Sequence, residues 1–142
     1  MACLAAPGPD TIVIIPNTND EGSMQLAERY AEARDVPSNR ICPLDLPTTS
    51  NMSLSIFRTK VMTALKLCLT HDMDVLPIEA AVLMRGVPIN VDIPVDEGSM
   101  TVSTAAALSL WNSVDRSGLP ILGQSPGTPT RCGDTPCVVG RW

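Results

Sequence analysis

Apolar and polar positions along the chain fall into blocks whose period changes from strand-like to helical and back. Ile12 to Ile15 is a continuous β-branched run, the pattern of a strand buried on both faces and so of a parallel sheet. From Ser23 to Arg34 the period becomes helical. Leu26, Ala27, Tyr30, Ala31 and Ala33 share one face, Glu28, Arg29 and Glu32 turn to water, and Asp20 or Ser23 serves as cap. The stretch "VPSNR" ends that helix, and Ile41 to Leu46 reads as a second strand. Pro43 inside it has no N–H to give a ladder, which places the strand at a sheet edge.

The next helix is the clearest element. Leu54, Phe57, Val61, Ala64, Leu65 and Cys68 recur at three-and-four spacing behind a Ser53 or Ser55 cap. After the polar turn "THDMD", the apolar run Ala80 to Met84 predicts an interior third strand, closed by Gly86 and Pro88. Ser103 to Val114 predicts a third helix packed through Ala107, Leu110, Trp111 and Val114, and "LPILG" at 119–123 a fourth short strand. Residues 1–10 thus read as a flexible leader, 11–123 as an α/β domain, and 124–142 as a Pro/Gly/Thr-rich tail carrying Cys132 and Cys137.

Strict alternation of strand and helix predicts a small three-layer α/β/α domain on a mostly parallel sheet. The expected strand order is 2-1-3 with the fourth beside the third, a flavodoxin-like arrangement. The loops leaving the first and third strands, "PNTNDEGS" and "RGVPINVDIPVDEGS", then rise side by side where α/β domains bind ligands. Asn17, Asn19, Asp20, Ser23 and Arg85 are the expected ligand-binding positions. Asp20, Glu21, Asp92, Asp96 and Glu97 offer the hard oxygens that magnesium or calcium takes. Short acidic residues also populate solvated turns and caps for local reasons.

Composition narrows the function classes. With 142 residues and 44% hydrophobic content the chain can bury a core, but Tyr30, Phe57, Trp111 and Trp142 are its only aromatic residues. Few rings and a net charge of -5 argue against nucleic acid and permit a cation or a basic protein partner. No apolar run is long enough to span a membrane. No G-x-G-x-x-G, Walker lysine loop or G-x-S-x-G elbow follows any strand, which removes dinucleotide, ATP and α/β-hydrolase readings. The single histidine, His71, falls in the turn before the third strand, at the wrong end of the sheet for a catalytic base.

Five cysteines remain. Cys3 stands alone in the leader; Cys42 and Cys68 fall on apolar elements and read as small buried hydrophobes without chemistry. Cys132 and Cys137 bracket a Gly-Asp-Thr-Pro turn, to be read as a disulfide loop, as free thiols or as half of a metal knuckle.

The stretch from Asn17 through Ser23, Ala27, Tyr30-Ala31 and Arg34 to "VP..NRI", followed by "LMRGVPI" and "STAAAL", resembles the amino-terminal part of an uncharacterised family of bacterial, often exported proteins. The resemblance covers about residues 10 to 112. It implies an exported or extracellular protein, longer family members, and a domain similar to those of caspase-like and gingipain-like cysteine peptidases. Such peptidases carry a histidine after the third strand and a cysteine after the fourth. Here Arg85 and Gly86 stand where the histidine would follow, and Cys132 has no activating partner in sequence. The expectation is therefore a noncatalytic α/β binding or assembly module, or a piece of a longer protein, that meets a protein partner or its own copy through sheet edges. The alternative is an enzyme: a cysteine peptidase relative, or a metal-dependent hydrolase at the acidic loops.

Overall fold

A computed structural model describes residues 7–71, 74–76, 78–109, 130–132 and 135–137. A 3-10 turn at Pro9–Thr11 leads into β1 (Ile12–Ile15), and α1 covers Ser23–Arg34, as the periodicity predicts. Its cap differs from expectation. Gly22 holds that position with φ 89°, because the Ser23 hydroxyl is engaged elsewhere. Only Ala27 and Ala31 of the expected apolar face are buried within the helix, while Leu26 stays 47% exposed.

The predicted second strand is reduced to two parallel bridges, Ile41 to Ile14 and Leu44 to Asn17. Pro43 supplies the reason, since a residue without N–H interrupts the ladder. The segment still lies along β1, with Cys42 N–H donating to Ile14 O (2.8 Å) and Leu44 N–H to Pro16 O (2.9 Å). A short strand absent from the sequence reading follows, β2 (Asn51–Ser53).

Helical backbone then runs from α2 (Leu54–Ile56) through a π-helical segment (Phe57–Met62) into α3 (Thr63–Leu69). The junction residues Phe57 and Thr63 keep right-handed helical angles, so the run is unbroken. Ser53 caps it by accepting from Ile56 N–H at 3.3 Å, one of the two expected caps. Where a plain turn around His71 is expected, β3 (Thr70–His71) and β4 (Asp74–Val75) form an antiparallel pair.

β5 (Ala80–Leu83) pairs with β1 in parallel, Ile12 opposite Ala80 through Ile15 opposite Leu83. With the bridges on the other side of β1, the 41–46 segment, β1 and β5 lie in that order, as expected for the first three predicted strands. β5 is half-buried throughout, not sealed in as its apolar run predicts, because among the described residues only β1 pairs with it.

The largest departure is the loop expected after the third strand. Residues 90–103 form a hairpin, β6 (Asn90–Val95) and β7 (Gly98–Ser103), and β6 also pairs in parallel with β2. Val91 and Ile93 point into the core with period two, and Asp92 between them and Pro94, Asp96 and Glu97 after them obscure that alternation.

The third helix is shorter at its start than expected: α4 is described over Thr104–Ser109 and packs through Ala107 and Leu108. Leu110, Trp111, Val114 and the fourth strand at 119–123 lie outside the described residues, as does most of the 1–10 leader. Within the stretch read as a tail, the backbone of β8 (Thr130–Cys132) pairs antiparallel with β9 (Thr135–Cys137). The side chains of Cys132 and Cys137, and with them the disulfide, thiol and metal readings, lie outside the described residues.

Two core clusters flank the central strand. Val13 and Ile15 face Phe57, Val61, Leu65, Val91 and Ile93; Ile14 faces Ala27, Ala31, Val36 and Met84. Alternate side chains of one strand thus bury against different helices, the physical content of a strand covered on both faces. The protein is a small α/β domain with parallel and mixed sheets.

One sequence expectation fails inside the larger cluster. Cys42 and Cys68 are not separate thiols but a disulfide, their Cα atoms 5.8 Å apart. Packing α3 against the 41–46 segment brings two apolar faces together, and that distance lies in the bridging range.

Candidate functional site

At the carboxyl end of β1 the chain turns through Asn17, whose side chain is fully buried. Its Oδ1 accepts from Asn19 N–H and Leu46 N–H, each at 3.1 Å. Its Nδ2 donates to Gly86 O at 2.6 Å and Pro47 O at 3.3 Å. One amide therefore ties the β1–α1 loop to the segments after residue 44 and after β5. The buried Ser23 hydroxyl does similar work, accepting from Asn17 N–H (3.0 Å) and donating to Arg85 O (2.7 Å).

Arg85 closes the arrangement from outside. Its Nε donates to Asp20 Oδ1 at 3.0 Å, its Nη2 pairs with the same oxygen at 2.9 Å, and Nη2 also donates to Glu21 O. Asn19 Nδ2 donates to Leu46 O at 3.0 Å and to Asp45 Oδ1 at 2.5 Å. Asp45 is held below the usual carboxylate range, first by its hydrogen bond from Lys60 (2.6 Å), then by that from Asn19 and the Lys60 charge.

The five expected ligand-binding residues are thus brought together, but each spends side-chain hydrogen bonds on neighbouring groups of the protein itself. The expected cation ligands are divided. Asp20 is engaged by Arg85, whereas Asp92 lies on β6, accepting from Asn51 Nδ2 at 3.0 and 3.1 Å and from Thr101 Oγ1 at 2.7 Å. Asp96 and Glu97 form the β6–β7 turn. Among the described residues no group of three or more His, Cys, Asp or Glu side chains is placed to hold a metal ion.

Two surface hollows adjoin these elements. One of about 250 Å³ lies over α1 between Arg85, Glu21 and Arg29. A larger groove of about 550 Å³ runs between the start of the helical run and the hairpin, lined by Leu54, Arg58 and Thr59 on one wall and Asp92, Pro94 and Ser99 on the other. Asp92 apart, sequence reading missed this groove. Leu54 belongs to the apolar stripe, but Arg58 and Thr59 sit off it, and only the unrecognised hairpin brings Pro94 and Ser99 opposite Arg58.

Fold and site together define a small α/β domain whose loops at the strand ends are braced against each other. No protein-family model, curated protein or solved structure matches the chain.

Proposed function

We propose that the chain is a noncatalytic α/β assembly module that associates with its own copy through the edge of β7 that no described strand pairs. The observation that carries this reading is the edge itself. β7 is the last strand of its sheet among the described residues, and Ser99, Thr101 and Ser103 along it are exposed. Gly98–Ser103 contains no proline, lysine or acidic residue, the devices that keep natural edges from pairing. A strand paired antiparallel with its symmetry copy meets a self-complementary surface, as a twofold interface demands. The cross-braced loops at the strand ends support the noncatalytic half of the reading, since the side chains of Asn17 and Ser23 spend their donors and acceptors on the protein itself. The Cys42–Cys68 disulfide supports an oxidising compartment for the module.

Sedimentation over roughly a hundredfold range of protein concentration tests the assembly, because dimerisation follows mass action. A concentration-dependent dimer is expected. Thr101→Lys adds like charges facing each other across the paired edges, and its ammonium can still serve Asp92, so the dimer should weaken about tenfold without loss of fold. A monomer at every concentration, or a dimer indifferent to Thr101→Lys, ends the proposal.

A further inference from the structure

The groove beside the hairpin goes beyond the assembly reading and does not depend on it. Arg58 lines one wall, and its Nη2 is shut off from solvent without a hydrogen-bond partner. Asp92 stands in the same groove, yet its oxygens are taken up by Asn51 and Thr101 and it forms no ion pair with Arg58. A guanidinium is always charged and a buried donor left unpaired is unfavourable, so little is lost when Arg58, which already lines the groove, turns Nη2 toward an acceptor from outside the protein. A second, separate observation concerns the backbone. Arg58 belongs to the π-helical segment Phe57–Met62, where Thr63 N–H reaches back to Arg58 O. Such wide turns inside helices are rare and frequently fall at functional sites.

We propose that this groove binds a carboxylate carried on a small apolar body. The carboxylate pairs with the Arg58 guanidinium, whose planar fork matches it, and the body lies against Leu54 and Pro94. Charge decides between anions. Among the described residues Arg58 is the one cationic side chain lining the groove, and Asp92 in the same groove carries the opposite charge, so a monoanion meets less repulsion than a phosphate dianion. The volume, about 550 Å³, suits a small molecule or the last residues of a peptide. A free organic acid and a peptide carboxyl terminus share this chemistry.

The test titrates five probes into the isotope-labelled full chain, followed by amide chemical shifts. They are hexanoate, its uncharged counterpart hexanamide, a short peptide ending in leucine with a free carboxyl terminus, the same peptide amidated, and inorganic phosphate. Saturable shifts at Leu54, Thr59 and Ser99 are expected with hexanoate or the free-acid peptide. Each amide should bind about tenfold more weakly or not at all, the loss of one charge-assisted contact. The tighter of the two acids identifies the source. Arg58→Gln should weaken the acid about tenfold, and Ser99→Asp, which adds a second carboxylate on the opposite wall, should do the same. The second variant keeps the test alive if the first fails to fold. Equal affinity for acid and amide, phosphate binding tighter than either carboxylate, affinity unchanged in Ser99→Asp, or no saturable shift with any probe overturns the proposal.

Discussion

Gly86 shows how tightly the loops at the strand ends are fitted. Its φ is +85°, and a Cβ added there would lie 2.2 Å from Asp20 Cβ. Two penalties follow for Gly86→Ala: about 1 kcal/mol for the left-handed backbone and more for displacing Asp20. Together they should destabilise the protein by about 3 kcal/mol in chemical denaturation. Asp20→Gly in the same chain removes the obstructing atom and should recover the steric part. Its own cost is small, because the ion pair it breaks ends on an Arg85 side chain 66% exposed. Strictly additive effects of the two substitutions would show that no clash exists. At this scale the sequence was a partial guide. Asn17, Asn19, Asp20, Ser23 and Arg85 were legible as polar residues gathered where α/β strands end, but a sequence displays donors and acceptors without showing which of them the protein itself consumes. Asn17 looks like a ligand contact until its bonds to Leu46, Pro47 and Gly86 are seen.

Elements with one strong period were legible, and elements with mixed signals were not. β1 and the helical run from Leu54 follow their hydrophobic patterns closely, and α1 keeps its predicted bounds although only Ala27 and Ala31 of its apolar face are buried. The hairpin was lost because Asp92, Pro94, Asp96 and Glu97 gave a turn-like composition to a segment whose alternate residues are core. Contacts between elements were illegible for the same reason. Lys60, on the outer face of the π segment, reaches Asp45 in the segment after the bridges, a pairing of residues 15 apart in the chain. The resulting depression of the Asp45 carboxyl has a definite pH signature. The folded state binds this proton less readily than the unfolded chain, so the pair's stabilisation is present above the ordinary carboxylate range. It is lost as pH falls through the lowered folded value. Lys60→Met should raise the Asp45 carboxyl toward its ordinary value in a carboxyl NMR titration, and stability should then fall less steeply in acid. Both groups are exposed, so the change in stability is small and the titration is the decisive readout. A carboxyl that titrates identically in the variant would break the assignment.

For the whole molecule, the sequence reading had the alternation of elements and the central place of β1 but missed the covalent link. Cys42 and Cys68 each sat on an apolar element, and burial alone explained them; only the packing of α3 on the 41–46 segment shows that the two faces meet. The bridge joins residues separated by 26 positions, and it ties the interrupted second strand to the helix that covers β1. In the chain-entropy view a loop of that length stabilises by about 3.5 kcal/mol, by limiting the unfolded ensemble. Interruption of the ladder at Pro43 makes the tie more consequential, since the segment keeps few backbone bonds to β1. Reduction by a phosphine should therefore lower the melting temperature by roughly 10 °C, the shift expected for that free energy in a domain of this size. Paired Cys42→Ala and Cys68→Ala substitutions should reproduce the loss in the absence of reductant and remove any further effect of it. Using both substitutions matters, because a lone thiol left in the core would add its own effect. A double variant as stable as the parent protein, or one that reductant still destabilises, would show that this bridge does not hold the second strand in place.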